Sequence, residues 1–110
     1  MLDEQLIRLV YEQRDILNLW LDLEEISREL GKYARNENWQ RFWSSYQRLS
    51  IVSDIIKKRP MDQREYLYEE LDLSSEEARH NGHYKIAGEL RQQAEFVFKN
   101  YIAEEGAQNP

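Results

Sequence analysis

The residues best suited to chemistry in this sequence are two histidines, His80 and His83, and the carboxylates that precede them. Glu77-Ala78-Arg79-His80 is a Glu-x-x-His pattern. On a helix, residues three apart share a face, so this carboxylate and imidazole would point the same way. Di-iron bundles use such a pair together with further inward carboxylates. A second Glu-x-x-His is absent. A carboxylate–histidine metal site would therefore need a symmetric copy at a dimer interface, with an acid such as Glu24 or Glu25 added from the first helix. The simpler expectation is a helix end in which His80 meets the C-terminal carbonyls, and no cofactor is expected.

Other chemistries find less. There is no cysteine and no Gly-x-Ser-x-Gly, and no glycine-rich loop could cradle a phosphate. Paired carboxylates such as Glu69-Glu70 and Glu76-Glu77 are abundant. Burial is what tunes a carboxylate for proton transfer, and the plain reading of these pairs is a solvated helical face. The expectation is a non-enzymatic protein.

Two features suit binding better than catalysis. The stretch EYLYEELDLSSEE, residues 65–77, carries six acids and no base, interleaved with Tyr66, Leu67, Tyr68, Leu71 and Leu73. Such a surface suits a basic groove on a partner. The second feature is Trp39, Phe42, Trp43 and Tyr46, four rings within eight residues. They cover more than a narrow stripe, and a wide apolar face on one helix points to a partner outside the monomer. Tyr and Trp are also enriched at interfaces. Arg41, Arg48, Lys57, Lys58 and Arg59 lie near these rings, and basic plus aromatic residues can build a single-strand stacking platform. Here, however, the bases mostly flank the apolar face. The net charge of −6 also opposes phosphate binding.

The charge is unevenly spread. Residues 1–36 hold eight acids against five bases, residues 37–60 two against five, and residues 61–110 eleven against five. A basic middle facing acidic partners, within the molecule or on another copy, follows from that pattern. The working expectation is a protein–protein interaction module, a homodimer or larger homo-oligomer, or a small adaptor or inhibitor. Its anchors are Trp39, Phe42, Trp43 and Tyr46, and its acidic surface is Glu69, Glu70, Glu76 and Glu77. In an antiparallel dimer the basic second helix and the acidic third could pair reciprocally. The alternative is an acidic inhibitor, of the immunity or phage counter-defence kind, that occupies a nucleic-acid-binding or other basic site on its target.

The elements that must position these residues are helical. No run of alternating β-branched residues supports a strand, and apolar residues recur at three and four. A first helix is expected over residues 3–35 as one rod with Leu6, Leu9, Val10, Leu17, Trp20, Leu23, Leu30 and Ala34 inward, a break near Asn18 or Gly31 being the alternative. Asn36-Glu37-Asn38 is the expected turn. A second helix follows over residues 39–58, with Trp39, Phe42, Trp43, Tyr46, Leu49, Val52, Ile55 and Ile56 as its apolar face, stopped by Pro60. A third starts near residue 61 and carries Tyr66, Leu67, Leu71 and Leu73. It either runs through or restarts at Ser75, because Ser74 and Glu77 form a capping-box pattern. Asn81-Gly82 stops it. The last helix spans residues 83–103 with Tyr84, Ala87, Leu90, Ala94, Val97, Phe98 and Tyr101 inward. The fold class is all-α: an antiparallel helical bundle of four helices, five if the third breaks, laid out as two helical hairpins. One domain is expected over residues 1–103, with residues 104–110 a flexible C-terminal tail.

The second arms align at an offset of 45, which sets Trp39 on Tyr84, Gln47 on Gln92 and Val52 on Val97. In GHYKIAGELRQQA, Gly82, Tyr84, Ala87 and Ala94 stand at the spacing of a tetratricopeptide-type unit. The resemblance uses small and aromatic packing positions and implies a helical hairpin. The first hairpin departs from it, since Trp43 stands where that family needs a small residue. No window approaches the length of a membrane span, the N-terminus does not read as a signal peptide, and the absence of cysteine fits a reducing compartment. The expected location is therefore cytoplasmic.

Overall fold

The computed structural model describes residues 3–103; the tail expected over residues 104–110 lies outside them. The fold is all-α, with five α-helices and no strand among the described residues. They are α1 (Glu4–Glu12), α2 (Ile16–Arg35), α3 (Trp39–Lys58), α4 (Met61–His80) and α5 (Tyr84–Val97). The chain leaves α5 through a π-helical segment, Phe98–Ala103. It divides into two compact units, Met1–Lys58 and Arg59–Pro110.

The first unit holds three helices, and this corrects the expected single rod over residues 3–35. The rod breaks at residues 13–15, just before Asn18, while Gly31 sits unbroken inside α2. The cause is local. Asp15 takes extended backbone, and its carboxylate accepts the Asn18 N–H at 2.8 Å and the Asn18 side-chain amide at 3.0 Å. An N-cap of this kind competes directly with helix continuation. Arg14 beside it pairs with Asp22. The break resets the helical phase, so Leu6, Leu9 and Val10, expected inward, are exposed, and Ile7 is the buried residue of α1. In α2 the inward expectations Trp20 and Leu23 hold, joined by Ile16, Leu19 and Ile26. Ser45, Ile51, Val52, Ile55 and Ile56 of α3 complete the buried set. Arg8 donates to Asp54 at 2.8 Å, fastening α1 to α3, and Arg48 donates to Glu29 at 2.7 Å, fastening α3 to α2.

The second unit is an antiparallel hairpin of α4 and α5. Arg64 of α4 donates to the Tyr101 carbonyl at 2.8 Å, Asp72 pairs with Arg91 at 2.6 Å, and the Ser75 hydroxyl donates to the Ala87 carbonyl at 3.0 Å. Positions rise along one helix as they fall along the other. α4 is one piece, so the Ser74–Glu77 pattern does not act as a cap; Ser75 is buried against α5 instead. Leu67, Leu71, Ala87, Ala94, Val97 and Tyr101 are buried. Tyr84 and Phe98, expected inward, are exposed, as are Tyr66 and Leu73 of α4. The small residues Ser75 and Ala87 are buried where the two helices meet, and Arg64 takes a buried position in α4.

The two interhelical turns have the same construction. Asn36 and Asn81 end α2 and α4 with nearly equal backbone angles, φ −90° and −89°. The next residue is left-handed in both, Glu37 at φ 56° and Gly82 at φ 80°. Glu37 N–H bonds the Ala34 carbonyl and Asn38 N–H the Tyr33 carbonyl; Gly82 N–H bonds the Arg79 carbonyl and His83 N–H the Ala78 carbonyl. Each is a Schellman turn, at the offset of 45 that aligns the second arms. Each delivers an exposed aromatic, Trp39 or Tyr84, as the first residue of the following helix.

Candidate functional site

The turn at residues 36–38 fixes where α3 starts, and helical geometry then fixes which way its rings point. Counting about 100° per residue, Trp39, Trp43 and Tyr46 fall within about 40° of one line along the helix. The buried residues Ser45, Val52 and Ile56 fall on the opposite side. The rings therefore form a ridge on the outside of the first unit. Trp39 is 51%, Trp43 60% and Tyr46 47% exposed, and Phe42 is half-buried at its edge.

The ridge is held together by its own rings. Phe42 meets Trp39 edge-on with centroids 5.5 Å apart and Trp43 edge-on at 5.0 Å. Trp43 meets Tyr46 edge-on at 5.6 Å, and Phe42 stacks at 6.5 Å from Tyr46. Edge-to-face pairs at these separations are favourable. They order the rings without removing them from water, which leaves an apolar surface open to solvent.

The bases near the ridge differ in how they are engaged. Arg48 turns toward α2, held by Glu29, and Lys58 pairs with Asp54 at 3.2 Å. Arg41 and Lys57 are exposed. The Arg8 hydrogen bond, with help from Lys58, holds the Asp54 carboxyl below the usual carboxylate range.

The acidic residues of α4 divide by role. Glu69 and Glu77 are exposed, while Glu70 and Glu76 are half-buried. Glu76 belongs to a local network with Arg79 at 2.7 Å and Arg91 at 3.5 Å, and the Arg79 hydrogen bond leads in holding its carboxyl low. Glu65 is exposed on the same side as Glu69, with Tyr66 and Leu73 between the acids. The structure thus brings the four rings of α3 together, while of the four glutamates Glu69 and Glu77 face solvent, Glu70 is half-buried and Glu76 joins a surface ion-pair network.

His80 and His83 are both exposed. Among the described residues no three of His, Cys, Asp and Glu converge as metal ligands would. Glu24 is half-buried, and that burial, eased by Arg28, pushes its carboxyl above the ordinary value. Comparison with known protein families, characterised proteins and solved structures finds no match to this chain.

Sequence reasoning missed one concavity. Ile7, Val10, Tyr11, Arg14, Asp22 and Arg48 line a depression of about 320 Å³ in the first unit. It lies beside the break at residues 13–15, between α1, which packs on α3, and the side chains of Asp22 in α2 and Arg48 in α3. Its two guanidinium groups are engaged with carboxylates, Arg14 with Asp22 and Arg48 with Glu29. No helix among the described residues is long and apolar enough to cross a membrane.

Proposed function

We propose that this protein is a non-enzymatic helical interaction module whose docking surface is the aromatic ridge of α3, and that it self-associates through it. The observation that carries this reading is the exposure of Trp39, Trp43 and Tyr46 on the face of α3 turned away from its buried side. With roughly 200 Å² per large aromatic side chain, those exposures leave about 300 Å² of ring surface open on each copy. Covering it on two copies is worth roughly 15 kcal/mol at about 25 cal/mol per Å². Association itself costs on the order of 4–15 kcal/mol, so the balance favours a reversible complex over an obligate one.

The test is the molecular mass in solution across protein concentration. The wild-type mass is expected to rise above that of one chain as concentration rises, and Trp43→Ala, still helical by circular dichroism, to stay at one chain. A wild type that remains a single chain throughout, or a Trp43→Ala variant that keeps the higher mass, refutes the reading.

The exposed acids of α4 favour a second reading. Glu65, Glu69 and Glu77 with Tyr66 and Leu73 present an acidic, partly apolar face, which suits an inhibitor that occupies a basic site on a target. Its signature is a steep loss of target affinity between low and high salt, whereas ring burial holds or strengthens with salt.

A further inference from the structure

The exposed line of α3 continues past the rings. Trp39, Trp43, Tyr46, Ser50, Ser53 and Lys57 are spaced alternately by four and three, which is the seam spacing of paired helices. All but Ser53 are exposed, and Ser53 is half-buried. The seam is sorted by size. Its N-terminal half carries three large rings; its C-terminal half carries two serines and a lysine.

That sorting is self-complementary in one arrangement only. In a parallel pair each ring would meet its own copy and Lys57 would meet Lys57, a like-charge contact. In an antiparallel pair about a two-fold axis midway between Tyr46 and Ser50, large meets small at each level. Tyr46 faces the other copy's Ser50, Trp43 faces Ser53, and Trp39 faces Lys57, a ring under a cation. Bulk set opposite small residues is how facing helices interdigitate. We infer that a second copy of this chain covers the ridge, α3 against α3, antiparallel and in this register. The inference rests on the reading of the ridge as a docking surface and adds the occupant and its geometry.

The area agrees with a specific but weak pair. The rings leave about 300 Å² open per copy. The serines, Lys57 and the flanking side chains add about as much, so the pair buries on the order of 1,200 Å², the lower edge for specific complexes.

A reciprocal swap tests the register. Trp43→Ser is expected to weaken the dimer about 30-fold or more, as loss of an interface anchor does, and Ser53→Trp to weaken it by setting ring against ring where large now meets small. Made together they restore facing partners, and the dimer is expected to return. A second measurement avoids core changes altogether. The chain has no cysteine, so Gln47→Cys and Lys57→Cys each place one thiol. Position 47 lies beside the axis, within reach of its copy for a bismaleimide spanning about 10 Å. The two copies of position 57 are about 27 Å apart along the helices. Cross-linking at 47 and none at 57 is the expected pattern. A dimer that needs Trp43 but is not rescued by the double swap, or that cross-links at 57 in place of 47, overturns this register and leaves the docking reading standing. A wild type without any dimer overturns both.

Discussion

Replacing Glu37 by glycine is expected to stabilise the first unit. Glu37 holds φ 56° in the turn between α2 and α3. A left-handed backbone costs an L-residue with a Cβ about 1–2 kcal/mol, and glycine avoids that cost. Against it stands the greater freedom of glycine in the unfolded chain, about 0.5–1 kcal/mol. The difference leaves a gain of about 0.5–1 kcal/mol. The turn at Gly82 supplies the control, since its hydrogen bonds match and its φ is 80°. There an added Cβ meets no atom within 4 Å, so Gly82→Ala isolates the backbone cost, and a loss of about 1 kcal/mol is expected. The assay is urea unfolding followed by circular dichroism, with Glu37→Ala alongside to separate the glutamate side chain from the backbone. A Glu37→Gly variant less stable than wild type while Glu37→Ala is unchanged would refute the reasoning. It would mean that the left-handed angle is not what limits this turn.

Gly88 behaves oppositely to Gly82, because it lies inside α5 and an added Cβ there meets nothing within 4 Å; Gly88→Ala should stabilise by about 1 kcal/mol in the same urea assay. Arg64→Ala removes a buried guanidinium that donates to the Tyr101 carbonyl at 2.8 Å, and a loss of about 2 kcal/mol is expected, measured as the unfolding midpoint. Asp54 titrates below its usual value of 3.8 because Arg8, then Lys58, stabilise its charged form. Its contribution is therefore complete above that value and lost as pH falls through the lower folded-state pKa. Asp54→Asn should be less stable than wild type at neutral pH, and the gap should close in acid titration. Glu24 runs the other way: burial raises its pKa, so its charge opposes folding above that pKa and the opposition fades as pH falls. Glu24→Gln should exceed wild type at neutral pH and match it in acid.

Much of this fold was legible because its signals were local. Asn81-Gly82 marks a stop through the one residue that takes a left-handed angle freely, and Pro60 separates α3 from α4. The Asn36-Glu37-Asn38 turn was legible from polarity alone. The break at residues 13–15 was not, since Asp15 caps α2 through Asn18 while the apolar spacing of three and four runs on across it. Carrying one helical phase through that break is what put Leu6, Leu9 and Val10 on the wrong side. The ridge was legible as an excess of rings, but its direction was not: counted by residue type, Trp39, Trp43 and Tyr46 join Val52 and Ile56 on one apolar face, whereas the helical turn sets the rings opposite those buried residues. Tyr84 and Phe98 were misplaced because a ring near a helix end reads as core by type alone. Phe98 opens the π-helical segment that follows α5, and Tyr84 opens α5, so both stand at element boundaries where a helical face read from sequence is least fixed.

The short length of α1 gives it a separate fate. Nine residues are too few to hold a helix in water unaided. Only Ile7 is sunk into the unit, and the Arg8–Asp54 clasp is partly open to solvent and hence to ions. Brine that loosens the clasp leaves α1 held by little besides Ile7, and any lifting of α1 would open the hollow that Ile7, Val10 and Tyr11 line.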